Sequence, residues 1–127
     1  MPSDLSKILY VEDEPDIQSI AKLALEAVGG FTVKICSSGQ EALESVTDFS
    51  PDLILLDVMM PGMDGPSTLQ ALRKLDVCAK IPVVFMTAKV QPQEVAGYKA
   101  LGALSVIAKP FDPMTLSNQV RAIWNQQ

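Results

Sequence analysis

The sequence contains no histidine, and this absence removes several kinds of site at once. Without an imidazole the chain cannot form a Ser-His-Asp triad, a histidine metal site or a phosphohistidine of its own. It has only two cysteines, Cys36 and Cys78, which are far apart and lack the spacing of a metal site. Oxygen ligands and two thiols are therefore left to carry any chemistry.

Long apolar runs and an excess of basic residues are also missing. No run approaches the roughly 20 residues that a membrane helix needs, and the N-terminus lacks the apolar core of a signal peptide. The 10 Lys and Arg residues against 15 Asp and Glu give a net charge of -5, which repels a nucleic-acid backbone. We therefore expect no membrane insertion and no direct nucleic-acid binding. We expect a cytoplasmic protein with reduced cysteines, one disulfide being the other possibility.

The length of 127 residues suits a single domain spanning residues 1–127, and 48% hydrophobic residues are enough for a real core. Short apolar runs alternate with amphipathic stretches from end to end. This alternation predicts a doubly wound α/β fold, a five-stranded parallel sheet with helices on both faces. The predicted strands are Ile8–Val11, Phe31–Cys36, Leu53–Leu56, Ile81–Met86 and Ala103–Ala108. The predicted helices are Pro15–Val28, Gln40–Val46, one opening at Pro66, Pro92–Ala100, and one capped by Asp112.

The most informative stretch is the third predicted strand and the loop after it. Four apolar residues, Leu53–Leu56, are typical of a strand buried on both faces, yet Asp57 follows them directly. In open parallel sheets, ligands bind at the carboxyl edge of the strands. Taken alone, the segment is equally consistent with an Asp57 that merely closes a turn.

Other predicted strands also end in polar residues. Glu12 and Asp13 follow the first strand, Thr87 the fourth and Lys109 the fifth. With the flavodoxin-like strand order 2-1-3-4-5, the crevice between the first and third strands brings the three carboxylates together. Such carboxylates repel one another by about 4 kcal/mol per pair at roughly 4 Å and an effective dielectric near 20, so they require a cation.

The chemistry of this predicted crevice follows from its donor atoms. All of its ligands are oxygen, which favours a hard divalent ion, and Mg2+ suits a few carboxylates, a carbonyl and waters. A carboxylate beside Mg2+, with a lysine and a hydroxyl across the crevice, is equipped to take up a phosphoryl group as an aspartyl phosphate.

These residues resemble those of a response-regulator receiver domain, close to the single-domain chemotaxis type, and the resemblance covers essentially the whole chain. Each matching motif stands at the end of the appropriate strand. The motifs are Glu12-Asp13, Asp57 with Met60-Pro61-Gly62-Met63-Asp64-Gly65, Thr87-Ala88, and Lys109-Pro110-Phe111.

The resemblance implies a role for each matching residue. Asp57 would be the phosphoacceptor, Asp13 a direct Mg2+ ligand and Glu12 a ligand through water. The backbone carbonyl of Met59 would complete the protein's share of the metal site.

The resemblance also implies how the phosphoryl group is held. Lys109 would pair with one phosphoryl oxygen and the Thr87 hydroxyl with another, beside the Ala88 amide. The Lys109-Pro110 bond would be cis. The phosphoryl group would come from a sensor histidine kinase or a histidine phosphotransfer protein, and the domain, catalysing its own phosphorylation and dephosphorylation, would switch its surface towards an unknown downstream protein.

Several alternatives can be weighed against this interpretation. A flavodoxin would have a phosphate-cradling loop where Glu12 and Asp13 stand, and an aspartate-nucleophile phosphatase would have a second Asp at the position of Met59. A degenerate receiver that acts only as a binding module stays open, as does the excised receiver of a larger regulator or hybrid kinase.

One position departs from the family pattern. Receivers often carry an aromatic residue three positions before the lysine, where this chain has Val106. A short β-branched side chain has few rotamers to exchange. We therefore predict that coupling passes through the loop after Thr87 and the fourth helix.

Overall fold

A computed structural model describes residues 4–127, so the first three residues of the predicted domain lie outside the described part. Five parallel strands form one sheet in the order β2-β1-β3-β4-β5. The strands are β1 (Lys7–Val11), β2 (Thr32–Cys36), β3 (Leu53–Asp57), β4 (Val83–Thr87) and β5 (Ser105–Ala108). The predicted fold class and strand order are confirmed.

Five α-helices connect and cover these strands. They are α1 (Pro15–Leu23), α2 (Gly39–Phe49), α3 (Gly65–Arg73), α4 (Pro92–Ala100) and α5 (Leu116–Asn125). A π-helical segment, Ala24–Val28, continues α1, and a 3-10 turn, Asp76–Cys78, follows α3. No helix in the described range is long and apolar enough to cross a membrane.

The central strand β3 is buried on both faces because its alternate side chains enter two different apolar layers. Leu53 and Leu55 pack in the layer that α1 and α5 cover. Ile54 and Leu56 pack in the layer that α2 and α3 cover. Each such buried leucine or isoleucine stabilises the fold by about 1.5–3 kcal/mol, so β3 is a rigid support for the residue at its end.

The predicted apolar face of the first helix was wrong at two positions. Ile20 is 47% exposed and Val28 is 49% exposed. The buried residues of this stretch are the small Ala21 and Ala24 together with Leu25, so the buried stripe is narrow and Ile20 lies outside it. From Ala24 the backbone is π-helical, and the changed residues per turn rotate Val28 off the buried face.

The last helix begins later than the sequence predicts. Asp112 does not cap it; its Oδ1 accepts a hydrogen bond from the Met114 backbone N-H at 2.8 Å within a turn. Thr115 has φ -115° and ψ -7°, outside regular helical values, and α5 begins at Leu116. Three strands also start later than predicted, β2 at Thr32, β4 at Val83 and β5 at Ser105.

Both cysteines are buried free thiols within the described residues, so the alternative of a disulfide between Cys36 and Cys78 is not realised. Burial raises the pKa of each thiol. Cys36 is the last residue of β2, but both thiols pack in the apolar layer under α2 and α3. They are core residues.

Candidate functional site

Asp57 is the last residue of β3, and its side chain is 5% exposed. It lies on the same face of the strand as Leu53 and Leu55, because successive side chains of a strand alternate. Its neighbour β1 runs parallel, with Val11 paired to Leu56, so the chain leaving β1 passes directly beside Asp57.

Glu12 and Asp13 leave β1 at this point and complete an acidic cluster. One carboxylate oxygen from each of Glu12, Asp13 and Asp57 lies within 4.8 Å of the others. Glu12 is fully buried and Asp13 is half-buried. The Glu12 backbone N-H donates to the carbonyl of Cys36 at 3.0 Å, extending the β1-β2 ladder by one residue and holding Glu12 in place.

Lys109 inserts its ammonium between two of these carboxylates. Its Nζ donates to Glu12 Oε1 at 3.0 Å and to Asp57 Oδ1 at 3.2 Å. The backbone places it there, since the Lys109 N-H donates to the Thr87 carbonyl at 2.9 Å. The Lys109-Pro110 peptide bond is cis, as the resemblance implied.

The cluster has three carboxylates and one ammonium, which contacts only Glu12 and Asp57. Burial raises the pKa of Glu12 to about 7; the hydrogen bond from Lys109 opposes this rise, and the charge of Asp57 adds to it. Burial alone would lower the pKa of Lys109, but the hydrogen bond to Glu12 and the charge of Asp57 raise it above its usual value. The cluster therefore has too little positive charge for its carboxylates and suits a further cation.

Thr87 closes the opposite side of the site. It is the last residue of β4, is buried, and its Oγ1 accepts a hydrogen bond from the Lys89 backbone N-H at 3.1 Å. A cavity of about 210 Å³ opens between Thr87 and Asp57. Its lining residues are Glu14, Asp57, Met59, Thr87, Ala88, Lys89 and Lys109.

The structure thus brings together every site residue predicted from the sequence. Five of them line the cavity, and Glu12 and Asp13 lie in the acidic cluster beside it. Glu14 also lines the cavity, although the sequence analysis assigned it no role. Its position in an unbroken acidic run from Glu12 was the available signal.

The loop after β3 folds back tightly against Asp57 and requires a glycine. The Gly65 N-H donates to the Val58 carbonyl at 2.8 Å. A Cβ on Gly65 would lie 2.6 Å from the Asp57 carbonyl oxygen and 2.7 Å from the Val58 Cα, both backbone atoms. Only a residue without a side chain fits this close approach. Asp64 then caps α3 through a hydrogen bond from the Ser67 N-H to its Oδ1 at 2.8 Å.

The residues fit a hard divalent cation. The donors are carboxylate oxygens on a rigid sheet edge, they are close enough to share one ion, and the cluster has excess negative charge. Lys109 partly compensates this charge through its two hydrogen bonds.

Comparison with known proteins identifies the family. The model of the response regulator receiver domain matches residues 8–121. The chain is 38% identical to the transcriptional regulatory protein CpxR of Escherichia coli over 97% of this chain and 53% of that protein. It is 35% identical to the DNA-binding response regulator MtrA of Mycolicibacterium smegmatis over 91% of this chain and 49% of that protein. The chain spans about half the length of the curated relatives it matches.

Solved structures indicate the same family. Chemotaxis protein CheY4 of Vibrio cholerae superimposes with a TM-score of 0.86 at 29% identity, covering 94% of this chain and 99% of that one. The receiver domain of a signal transduction histidine kinase from Syntrophus aciditrophicus gives a TM-score of 0.80 at 31% identity, covering 95% and 91%. On its sequence, its fold and the place of its acidic site, this chain belongs to the response regulator receiver domain family.

Proposed function

We propose that this receiver domain accepts a phosphoryl group on Asp57 in a Mg2+-dependent reaction and then switches its surface towards a partner protein. The observation that carries the proposal is the position of Asp57. Its carboxylate ends a buried strand, lines the cavity, and contacts the Lys109 ammonium at 3.2 Å. A carboxylate in such a place is both accessible to a small reacting group and surrounded by charge-stabilising residues.

The acceptor is Asp57 rather than its acidic neighbours because Asp57 both lines the cavity and contacts the Lys109 ammonium. Glu14 also lines the cavity, but its side chain is exposed. Glu12 is fully buried behind Asp57, and its Oε1 accepts from Lys109 while its Oε2 accepts from the Glu14 N-H. Thr87 and Ala88 line the wall opposite Asp57.

The transfer proceeds in line. A carboxylate oxygen of Asp57 attacks the phosphorus of a phosphohistidine on the donor protein; a P-O bond forms as the P-N bond breaks. The electron pair leaves with the imidazole nitrogen, which takes up a proton. Lys109 stabilises the phosphoryl oxygens as an ammonium, while the Thr87 hydroxyl and the Ala88 amide donate hydrogen bonds to them.

Asp13, Asp57, the Met59 carbonyl and, through water, Glu12 are the residues that would hold Mg2+. The bound ion would neutralise the negative charge of the transferred group. The three carboxylates repel one another, so a nearby cation stabilises each of them. Replacing one of these carboxylates should therefore mainly weaken metal binding.

The donor protein must bring its histidine beside Asp57, and an apolar groove lies next to Lys109. The groove has a volume of about 150 Å³ and is lined by Ile17, Ile20, Lys109, Pro110, Phe111 and Pro113. Ile20, which the sequence placed in the core, is half-exposed here. We assign this groove to an apolar side chain of the histidine-bearing donor protein, since a partner seated there lies beside the acceptor.

We propose that the downstream partner, towards which the phosphorylated domain switches its surface, is a protein. The net charge of -5 disfavours direct contact with a nucleic-acid backbone.

Intact-mass measurement after incubation with Mg2+ and acetyl phosphate tests the acceptor. The wild-type chain should gain the mass of one phosphoryl group, and Asp57→Asn should gain none. Asp48→Asn, which removes an exposed carboxylate of α2, is the matched control and should behave as wild type. Phosphorylation of the D57N variant would contradict the proposal. So would a wild-type chain that stays unmodified, which is the result expected of a phosphorylation-independent binding module.

A further inference from the structure

Tyr10 of β1 carries a buried hydroxyl that has no role in the phosphoryl transfer as proposed. The residue is 1% exposed and packs in the apolar layer under α1 and α5. Among the described residues, its hydroxyl oxygen is the one buried side-chain oxygen or nitrogen without a hydrogen-bond partner. A buried donor that stays unpaired disfavours the folded state, so its presence calls for a physical reason.

The position of Tyr10 places it directly below the acidic cluster. Tyr10 lies two residues before Glu12 on the same face, because side chains alternate and the bond from the Glu12 N-H to the Cys36 carbonyl continues the strand. Two such residues are roughly 7 Å apart along a strand, a distance that a tyrosine side chain can span. On the neighbouring strand Tyr10 pairs with Leu55, two residues before Asp57.

The electrostatics of Tyr10 agree with this position. Burial raises the pKa of Tyr10, and the negative charges of Glu12 and Asp57 raise it further. Both carboxylates are therefore close enough for their charge to act on the phenol. The hydroxyl stays protonated and can only be a donor towards them.

Glu12 depends on a donor that the phosphoryl group also needs. Glu12 is fully buried; its Oε1 accepts from Lys109 Nζ at 3.0 Å and its Oε2 accepts from the Glu14 N-H at 3.2 Å. The cavity at Asp57 is lined by Lys109 but not by Glu12. A phosphoryl group on Asp57 occupies this cavity, so an ammonium drawn to it moves away from Glu12. Oε1 then loses its donor in the protein interior, which is unfavourable for a carboxylate.

We propose that Tyr10 is a positioning residue whose hydroxyl donates to Glu12 Oε1 when Lys109 turns from Glu12 to the phosphoryl group on Asp57. The inference rests on the proposed phosphorylation of Asp57. In the unphosphorylated domain Lys109 holds Glu12 and the Tyr10 hydroxyl is unpaired. In the phosphorylated domain Tyr10 pairs with Glu12, so the exchange removes an unpaired donor and leaves no unpaired carboxylate oxygen. It therefore favours the phosphorylated state.

Thermal unfolding of a double-mutant cycle in EDTA tests the exchange without phosphorylation. Lys109→Met removes the ammonium and keeps an unbranched apolar side chain that fills its place. In this background Tyr10→Phe should lower the Tm by about 5 °C or more, because the hydroxyl has become the side-chain donor to a buried carboxylate. In the wild-type background Tyr10→Phe should leave the Tm unchanged or raise it, because the hydroxyl is unpaired there.

Tyr98→Phe is the matched control, since it removes the hydroxyl of the other tyrosine. The Tyr98 ring packs edge-on against Phe85 with ring centroids 5.3 Å apart, in the layer under α2 and α3. Its replacement should change the Tm equally in both backgrounds. The exchange is refuted if Tyr10→Phe also changes the Tm equally in both, since the hydroxyl would then have a partner that does not depend on Lys109, or none at all.

Ultraviolet resonance Raman spectroscopy follows the hydroxyl itself. The chain has two tyrosines, so the Tyr98→Phe variant leaves Tyr10 as the only one. The intensity ratio of the tyrosine Fermi doublet distinguishes a hydroxyl without a hydrogen bond from one that donates to a carboxylate. Incubation with Mg2+ and acetyl phosphate should shift this ratio towards that of a strong donor. Adding Lys109→Met should shift it in the same direction without phosphorylation.

Intact-mass measurement of the same samples separates this inference from the proposed function. If the chain gains a phosphoryl group while the ratio keeps its initial value, Tyr10 does not replace Lys109 and the inference alone is wrong. If the chain gains no phosphoryl group, the proposed function is wrong. The Lys109→Met sample still decides whether Tyr10 can take over Glu12: a shifted ratio supports the exchange of donors, and an unchanged ratio overturns it.

Discussion

Replacing Lys109 by alanine should destabilise the metal-free protein more than most surface changes do. The ammonium of Lys109 lies 3.0 Å from Glu12 Oε1 and 3.2 Å from Asp57 Oδ1, and Glu12 is fully buried. Without Lys109, two carboxylates face each other at the sheet edge with no cation between them. Their repulsion and the unpaired buried charge of Glu12 both disfavour the folded state.

The magnitude follows from these distances. At an effective dielectric of about 20, each contact is worth roughly 5 kcal/mol of Coulomb attraction, from which the desolvation of the ammonium must be subtracted. Breaking a buried pair costs about 3–5 kcal/mol in general, and the Lys109 side chain keeps 19% of its surface exposed. We expect a loss of about 3 kcal/mol at pH 8, which lowers the Tm of a domain of this size by roughly 10 °C.

The loss should depend on pH in a defined direction. Burial raises the pKa of Glu12 to about 7 while Lys109 opposes the rise, so removing Lys109 moves this pKa higher still. Between the ordinary carboxylate range and that raised value, the folded variant binds a proton that the unfolded chain does not bind. Its stability therefore falls as pH rises through this window, and the gap to wild type is smaller at pH 5.5 than at pH 8.

Thermal unfolding in EDTA at both pH values measures the effect. Lys89→Ala removes an exposed lysine from the same cavity and should stay within about 0.5 kcal/mol of wild type. Adding Mg2+ should narrow the gap between Lys109→Ala and wild type, because the ion replaces the lost positive charge. The electrostatic reasoning would be refuted if Lys109→Ala were as stable as Lys89→Ala at pH 8. It would also be refuted if the loss of stability of Lys109→Ala relative to wild type were the same at pH 5.5 as at pH 8.

Three further predictions concern the metal site, the loop after β3 and the donor groove. Asp13→Asn should weaken Mg2+ binding by at least about tenfold, because it removes one of few charged ligands, and unchanged affinity by titration would contradict its role. Gly65→Ala should destabilise by about 2 kcal/mol, since its Cβ meets backbone atoms at 2.6 and 2.7 Å. In contrast, Gly97→Ala should stabilise by about 0.5–1 kcal/mol in denaturant titrations, because the added Cβ meets nothing within 4 Å beyond its chain neighbours and its own helix backbone. Equal effects of Gly65→Ala and Gly97→Ala would contradict this reasoning. Ile20→Glu should slow transfer from a histidine-bearing donor protein and leave the reaction with acetyl phosphate at the wild-type rate, whereas equal slowing of both would remove the groove from the docking surface.

Much of the site could be predicted from the sequence because parallel strands put their carboxyl ends at one edge of a sheet. The apolar run Leu53–Leu56 identified the central strand, and the strand order then placed Asp57 beside Glu12 and Asp13 without any knowledge of side-chain positions. The two hydrogen bonds that the Lys109 ammonium donates to Glu12 and Asp57 could not be predicted in the same way. It depends on the distance that a long side chain reaches across the crevice.

The errors have a common physical origin. A helical pattern shows which residues share a face, but the width of the buried stripe depends on how closely the helix approaches the sheet. Ile20 and Val28 were therefore misplaced. Asp112 followed by Pro113 is equally suited to a helix start and to a turn, and the tertiary structure selects the turn. The contact between Tyr98 and Phe85 joins two elements with no local sequence signal, since α4 has little apolar patterning of its own.

A weakly attached α4 is consistent with the limited free energy that a phosphoryl group can supply to a switch. A bound group shifts a two-state equilibrium only by the difference between its interactions in the two states, and a shift from 1:99 to 99:1 needs about 5.5 kcal/mol. Lys109 already contacts Asp57 before any phosphoryl group arrives, so part of its interaction is present in both states. If Asp57 is phosphorylated as proposed, the Thr87 hydroxyl, whose described bond is to the Lys89 N-H, gains a phosphoryl oxygen as a new partner. The larger difference therefore arises on the Thr87 side of the cavity. Helix α4 follows Thr87 in the chain and buries no side chain among the described residues, so it is the element that this difference in free energy can move.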